Sequence, residues 1–223
     1  MSKTIITAVD ETDLDSFKKV IDSLDSDLCM LKIGSVSFNA FGHEAVFYAS
    51  KKGFDIFLDL KLHDIPNTVK KSIEGLKSLP ISMITLHTSG GIKMMQSAMD
   101  AVKGSKIKIF GVTALTSLSD DDTNQIYQRD ASSQVNAMLD LAEESGIDGV
   151  VCSPHELNLV SKRVGLLSIT PGIRLIDTKD DQSRVMTPKQ AIELGADYLV
   201  IGRPITASDD ISASLKEIYK SIQ

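Results

Sequence analysis

The densest group of side chains able to do chemistry lies in the decapeptide Asp-Leu-Lys-Leu-His-Asp-Ile-Pro-Asn-Thr, residues 59–68. Asp59 and Lys61 are two residues apart, so on a strand their side chains share one face. Because Leu58 and Leu60 are apolar, we expect that face to lie at a buried rim. Burying an ion pair costs several kcal/mol unless it is well partnered, which favours a functional pair. The alternative is an ion pair that only stabilises the strand.

Three more charged side chains end or follow apolar runs: Asp10, Lys32 and Asp64. Each has an ordinary alternative, since Asp10 fits a turn, Lys32 fits a strand end and Asp64 fits a carboxylate cap of the helix that follows. Charges that alternate in sign around one rim are unusual among residues that have no functional role. We therefore predict that these charged groups form a functional site at the rim.

A second group of residues suits an anion. Residues 170–174 end in Arg174, and residues 201–204 contain Gly202 followed by Arg203. Glycine lets a backbone N–H approach an oxyanion, and the arginine fork matches a phosphate. The alternative for Arg203 is a surface salt bridge. Between the two segments, the polar residues 175–187 are consistent either with a mobile lid or with a solvated connector.

The elements that must position these groups are eight short apolar runs, most of them followed by a stretch with helical spacing. This alternation predicts a parallel sheet, and eight units in 223 residues predict a single (β/α)8 TIM barrel over residues 1–223. An open doubly wound sheet is the competing layout, but it favours a Gly-rich turn after the first strand, where residues 8–12 read Ala-Val-Asp-Glu-Thr. The predicted strands are 4–10, 28–34, 55–61, 83–88, 107–115, 149–153, 166–173 and 198–204. The predicted helices are 14–24, 67–79, 92–102, 135–145, 188–194 and 211–222.

Composition restricts the partners. The formal net charge of −6 argues against a nucleic-acid or membrane binder but leaves room for a local phosphate pocket. Cys29 and Cys152 fit buried apolar positions, and the chain has neither a signal-peptide pattern nor an apolar run of about 18 residues, so we expect a cytoplasmic protein. The four histidines lack zinc-ligand spacing. Three acids, Asp10, Asp59 and Asp64, leave Mg²⁺ as an open possibility.

These segments together resemble the orotidine 5′-phosphate decarboxylase family, and the resemblance runs nearly end to end. The decapeptide 59–68 is similar to that family's signature. The other segments follow in the family's order: 8–10, 31–34, 87–91, 112–117, 170–174, 181–188 and 201–204. The chain departs from the family after Arg174, where the Pro and Gly common in bacterial relatives are absent.

The resemblance implies decarboxylation of orotidine 5′-monophosphate to UMP, with no metal and no other cofactor. It implies that Lys61 protonates C6 within a catalytic array of Lys32, Asp59, Lys61 and Asp64. It also implies that the nucleotide is held by Asp10 at the ribose, by Thr116, and at the phosphate by Gln182, Gly202 and Arg203, with Arg174 serving the loop and phosphate region. It further implies a homodimer in which Asp64, Ile65 and Thr68 reach the partner's site.

Two other functions compete. Mg²⁺-dependent sugar-phosphate decarboxylases and synthases share the Asp-x-Lys-x-x-Asp pattern, but they hold the metal partly with a Glu where this chain has Lys32. A non-catalytic nucleotide-binding barrel would keep Gly202 and Arg203 and lose the charged rim, whereas this chain has both.

Overall fold

Eight parallel strands close into a barrel in which each strand pairs with the next along the chain and the last pairs with the first. The computed structural model describes residues 4–174 and 186–223. All eight predicted strands and the predicted TIM barrel are confirmed. The strands are β1 Ile5–Val9, β2 Cys29–Gly34, β3 Ile56–Leu62, β4 Met83–His87, β5 Lys108–Val112, β6 Gly149–Val151, β7 Leu167–Thr170 and β8 Tyr198–Ile201.

Helices pack around the outside of the barrel, and the six predicted ones are present with ends shifted by a few residues. Within the described ranges the helices are α1 Leu14–Asp22, α2 Ser35–Phe41, α3 His43–Lys51, α4 Pro66–Leu76, α5 Ile92–Val102, α6 Asp120–Tyr127, α7 Ala131–Ser145, α8 Leu157–Val160, α9 Pro188–Glu193, α10 Arg203–Thr206 and α11 Ile211–Ser221. The sequence did not predict α2, α3, α6, α8 and α10. Of these, α8 and α10 span only four residues each, too few to show apolar periodicity.

The ends of several helices have ordinary local causes. Pro66 and Pro188 occupy first-turn positions, where a missing backbone N–H costs no hydrogen bond. Gly146 ends α7 with φ of 72°, in the left-handed region that glycine adopts without strain. Helix starts and stops of this kind fix the length of each βα unit and so the position of each strand end.

Two apolar layers form the core. The larger layer packs the outward faces of the strands against the helices. The smaller one fills the barrel interior, where inward positions of successive strands meet: Ile6, Ala8, Met30, Phe57, Met83, Phe110, Ile169 and Val200. Phe110 lies at its centre, with ring centroids 6.4 Å from Phe57 and 6.3 Å from Tyr198. This layer closes the floor beneath the strands' carboxyl ends.

Cys29 and Cys152 are buried and unbonded to each other, in line with the prediction of buried apolar positions. In residues 4–174 and 186–223, every helix is too short or too polar to cross a bilayer.

The interior layer generates a stability prediction. Phe110→Ala should lower the free energy of unfolding by about 3–5 kcal/mol, because it leaves a cavity beside two other aromatic rings. Phe47→Ala is the matched control: Phe47 is half exposed on α3, so its loss should change stability by less than about 0.5 kcal/mol. Urea unfolding measures both variants. Equal losses for the two would contradict a packed interior.

Candidate active site

A cavity of about 570 Å³ opens at the carboxyl ends of the strands. Its floor is apolar and its rim is charged. Eight residues singled out from the sequence line it: Asp10, Lys32, Asp59, Lys61, Thr116, Arg174, Gly202 and Arg203. The structure thus brings together groups from both ends of the chain, because parallel strands all end at the same rim.

The charged side chains form a continuous chain of ion pairs along that rim. Lys32 Nζ lies 3.1 Å from Asp10 Oδ1 and 3.7 Å from Asp59 Oδ2, and Lys61 Nζ lies 2.7 Å from the same Asp59 oxygen. Lys32 and Asp59 are nearly buried, whereas the Lys61 side chain is 36% exposed towards the cavity. A carboxylate held between two ammonium groups is therefore presented to whatever occupies the cavity.

Burial by itself raises the pKa of Asp59, but the opposing causes prevail. The charges of Lys61 and Lys32, with hydrogen bonds from Lys61 and Thr85, hold the pKa of Asp59 below its ordinary value of 3.8. Asp59 is consequently an anion at neutral pH, and it holds the ammonium groups of Lys32 and Lys61 close to one of its oxygens, Oδ2.

Lys61 lies in an irregular part of β3. Leu58 pairs with Ile84 of β4, yet Leu62 pairs with Leu86, so four residues of β3 advance against two of β4. Within this bulge Lys61 has φ of 50°, which non-glycine residues rarely adopt. Bulges of this type re-aim side chains beside functional sites.

Two residues that the sequence reading overlooked shape the array. The buried hydroxyl of Thr85 donates to Asp59 Oδ1 at 2.9 Å and accepts the Lys61 backbone N–H at 2.9 Å. At Gly34 a Cβ would come within 2.8 Å of Lys32 Nζ and 3.1 Å of Asp10 Oδ1, so glycine leaves the space that this ion pair occupies. The sequence did contain a signal for Thr85: it is a polar residue two positions after Met83, which places it on the inward face of β4.

Asp64, Ile65 and Thr68 lie apart from the cavity. Asp64 is exposed and its Oδ1 accepts the N–H of Ile65 at 2.6 Å, while the Ile65 side chain is 67% exposed. The N-cap residue of α4 is Ile65, with no side-chain cap, so Asp64 does not make the usual N-cap bond that the sequence left open.

The other side of the rim carries the arginines. Arg174 is buried, and its Nη1 donates to Ile173 O at 3.1 Å. Its backbone N–H donates to Met186 O, which ties together the two ends of the intervening segment. Arg203 is exposed at the first residue of α10, directly after Gly202. Residues 175–185, which include Gln182 and most of the segment expected to be either a lid or a connector, lie outside the described residues.

The described part of this rim does not assemble a set of metal ligands. Among residues 4–174 and 186–223, no three His, Cys, Asp or Glu side chains are placed to hold a metal ion. Lys32 stands between Asp10 and Asp59, and Asp64 is not among the residues that line the cavity. The one histidine pair that the fold creates is His63 with His87, at 5.4 Å between ring centroids among the described residues. Burial, and then the neighbouring His63 and Lys61, lower the pKa of His87.

The chain is similar to known proteins along almost its whole length. Residues 3–218 match the model of the orotidine 5′-phosphate decarboxylase / HUMPS family. Proteins named orotidine 5′-phosphate decarboxylase include one from Wolbachia pipientis that is 45% identical, covering 98% of each chain, and one from Ehrlichia canis that is 46% identical, covering 98% of this chain and 97% of its own. A crystal structure of orotidine 5′-phosphate decarboxylase from Lactobacillus acidophilus superposes with a TM-score of 0.88, at 34% identity and full coverage of both chains.

The electrostatics of Asp59 generate a prediction about pH. Because its folded-state pKa lies below that of the unfolded chain, ionised Asp59 contributes stability above about pH 4 that is lost as the pH falls through the folded-state value. Relative to Asp59→Asn, the wild type should therefore lose stability as the pH is lowered from about 5 to about 3. Urea unfolding of both proteins across this range measures the difference, and a difference independent of pH would contradict the arrangement.

Proposed function

The chain belongs to the orotidine 5′-phosphate decarboxylase / HUMPS family. We propose that its Lys32–Asp59–Lys61 array catalyses the decarboxylation from which the family is named. That reaction is the decarboxylation of orotidine 5′-monophosphate to UMP and CO2 in pyrimidine biosynthesis. The observation that supports this assignment is the alternating charge at the cavity rim, with the Lys61 ammonium 2.7 Å from the Asp59 carboxylate and facing open space.

Lys61 is the proton donor in this proposal. Loss of CO2 from C6 leaves an electron pair in the plane of the pyrimidine ring, where the π-system cannot delocalise it. An ammonium already in place beside C6 stabilises that charge as it develops, without any reorganisation of solvent. The same ammonium then delivers the proton to C6, so Lys61 acts as both electrostatic stabiliser and general acid.

Asp59 is the group that faces the substrate carboxylate. Two like charges about 4 Å apart repel by about 4 kcal/mol at an effective dielectric constant near 20, and departure of CO2 relieves this repulsion. The low pKa of Asp59 supports the role, because a protonated carboxyl would not repel. Lys32 keeps the alternating array in register, together with Asp64 of the partner subunit in the dimer proposed below.

The remaining rim residues hold the nucleotide. We assign Asp10 to the ribose and count Thr116 among the residues that hold the nucleotide. Gly202, Arg203 and Gln182 are assigned to the phosphate, with Arg174 at the base of the loop. Arg174 and Arg203 follow β7 and β8, whereas Lys61 lies on β3 across the closed barrel. Phosphate binding therefore supplies energy remote from the reacting carbon, which can be used in the transition state.

The reaction is proposed to need neither metal nor other cofactor. In a Mg²⁺-dependent relative an anionic side chain would be required where Lys32 stands, and here that ammonium already lies between Asp10 and Asp59. The comparisons do not favour the sugar-phosphate alternative. A nucleotide-binding barrel without catalysis would have no use for a buried carboxylate between two lysines.

We further propose that the active enzyme is a homodimer, in which Asp64, Ile65 and Thr68 complete the partner's site. The exposed Ile65 side chain and the absence of Asp64 from the residues that line its own cavity support this arrangement. Because the chain is acidic, we expect its partner to be a small-molecule substrate and not a nucleic acid or a membrane. The buried thiols of Cys29 and Cys152, which are not joined to each other in a disulfide, suit a reducing cytoplasm.

Lys61→Ala should lower kcat for orotidine 5′-monophosphate by many orders of magnitude, because it removes both the stabilising charge and the proton. The loss of substrate absorbance in the ultraviolet measures the rate. Lys52→Ala is the control, since Lys52 pairs with Asp22 on the surface, away from the cavity. Retention of more than about a tenth of kcat by Lys61→Ala, a barrier change below ~1.4 kcal/mol, would exclude the proposed role.

Mixing inactive homodimers tests the shared site. When Lys61→Ala and Asp64→Ala subunits exchange, half of the dimers are mixed, and each mixed dimer has one site with an intact Lys61 and a partner's intact Asp64. About a quarter of wild-type activity should return. Mixing Lys61→Ala with a chain carrying both substitutions is the control and should stay inactive. If activity fails to return after exchange has been demonstrated, each site uses its own Asp64 and the proposal is wrong.

A further inference from the structure

The geometry points to Thr85 as a positioning residue that holds Lys61 and Asp59 in their reactive arrangement. Thr85 lies in the middle of β4, is fully buried and touches both groups through a single hydroxyl. The inference rests on the catalytic roles proposed above for Lys61 and Asp59. It concerns how the barrel fixes their geometry, since Thr85 itself lies beneath the rim and is not among the residues lining the cavity.

The bulge in β3 creates the need for such a residue. Between Leu58 and Leu62 the regular pairing with β4 is interrupted, so the intervening backbone groups lose their places in the ladder. A buried N–H without a partner is costly. The Lys61 N–H instead donates to the Thr85 side chain at 2.9 Å, so a hydroxyl replaces the missing main-chain acceptor.

Lys61 itself is in a strained conformation. Its φ of 50° lies in the left-handed region, and such a conformation persists only where surrounding contacts impose it. The hydrogen bond to Thr85 is made by the N–H of this same residue. Loss of the bond would let the bulge relax and move the Lys61 Cα, from which the whole reactive side chain extends.

The same hydroxyl also sets the rotation of the Asp59 carboxylate. Asp59 Oδ1 accepts from Thr85, which leaves Oδ2 to face Lys61 at 2.7 Å and Lys32 at 3.7 Å. A threonine hydroxyl has one hydrogen to donate and lone pairs to accept, so both bonds use its capacity without conflict. Thr85 thereby couples the backbone of the proposed acid to the side chain of the proposed anion.

Thr85→Val is the decisive variant, because valine has the same shape and no hydroxyl. Thr85→Ser retains the hydroxyl and should restore function. Thr7→Val is the matched control: Thr7 is an equally buried barrel threonine on β1, and within the described chain its hydroxyl has no hydrogen-bond partner. The same chemical change is thus made with and without the two bonds.

The Thr85→Val change should lower kcat about 10- to 100-fold, the effect of displacing a reactive group by a fraction of an ångström to an ångström. Thr85→Ser should stay within about threefold of the wild type, and Thr7→Val should be unchanged. Affinity for UMP, which lacks the reacting carboxylate, should change by less than about threefold in every variant. A loss in kcat with little loss in binding separates positioning from general destabilisation.

Two further readouts follow from the individual bonds. Without the hydrogen bond from Thr85 the pKa of Asp59 rises, so the acidic limb of the kcat profile should move to higher pH in Thr85→Val. The amide of Lys61 should exchange slowly in the wild type and faster in Thr85→Val, as hydrogen-exchange mass spectrometry of its peptide would measure. The wild-type exchange experiment remains informative even if Thr85→Val does not fold.

The inference is overturned if Thr85→Val turns over at the rate of Thr7→Val, if Thr85→Ser loses as much kcat as Thr85→Val, or if the Lys61 amide of the wild type exchanges rapidly. Failure of the proposed function has a different result, because the wild type would then leave orotidine 5′-monophosphate unchanged. In that case slow exchange at Lys61, and its acceleration in Thr85→Val, would still establish the hydrogen bond.

Discussion

One buried carboxylate organises this molecule. Asp59 lies between the ammonium groups of Lys32 and Lys61 at the rim of a largely apolar barrel. Removal of either lysine would leave a buried charge without a full set of partners. The arrangement is tolerable because Thr85 and both lysines satisfy the carboxylate. The electrostatic field that results is fixed before any substrate binds, which is the condition for stabilising a charge that exists only briefly.

The barrel supplies the rigidity that this array requires. Aromatic and aliphatic side chains fill the interior directly beneath it, and Gly34 leaves the space in which Lys32 meets Asp10. The charged groups belong to β1, β2 and β3, whose carboxyl ends are adjacent. The anion-binding groups Gly202 and Arg203 follow β8, which pairs with β1, so closure of the barrel brings the two ends of the chain to one cavity.

Much of the fold and of the charged site could be predicted from the sequence. Apolar runs bounded by polar residues mark buried parallel strands, and the last residues of such strands must meet at one rim. Asp10, Lys32, Asp59 and Lys61 were found on that basis. The sequence could not predict the φ of Lys61 or the role of Thr85. Both depend on a register shift between β3 and β4 that no local pattern encodes. Short helices such as α8 and α10 were missed because four residues show too little periodicity.

The most direct test of the central claim is to follow orotidine 5′-monophosphate with the purified chain in D2O, in the presence of EDTA, by proton NMR. A pre-placed ammonium that protonates C6 exchanges with solvent, so the UMP formed should carry deuterium at C6 and show its C5 proton as a singlet. Unchanged substrate, or UMP that carries protium at C6, would contradict the account.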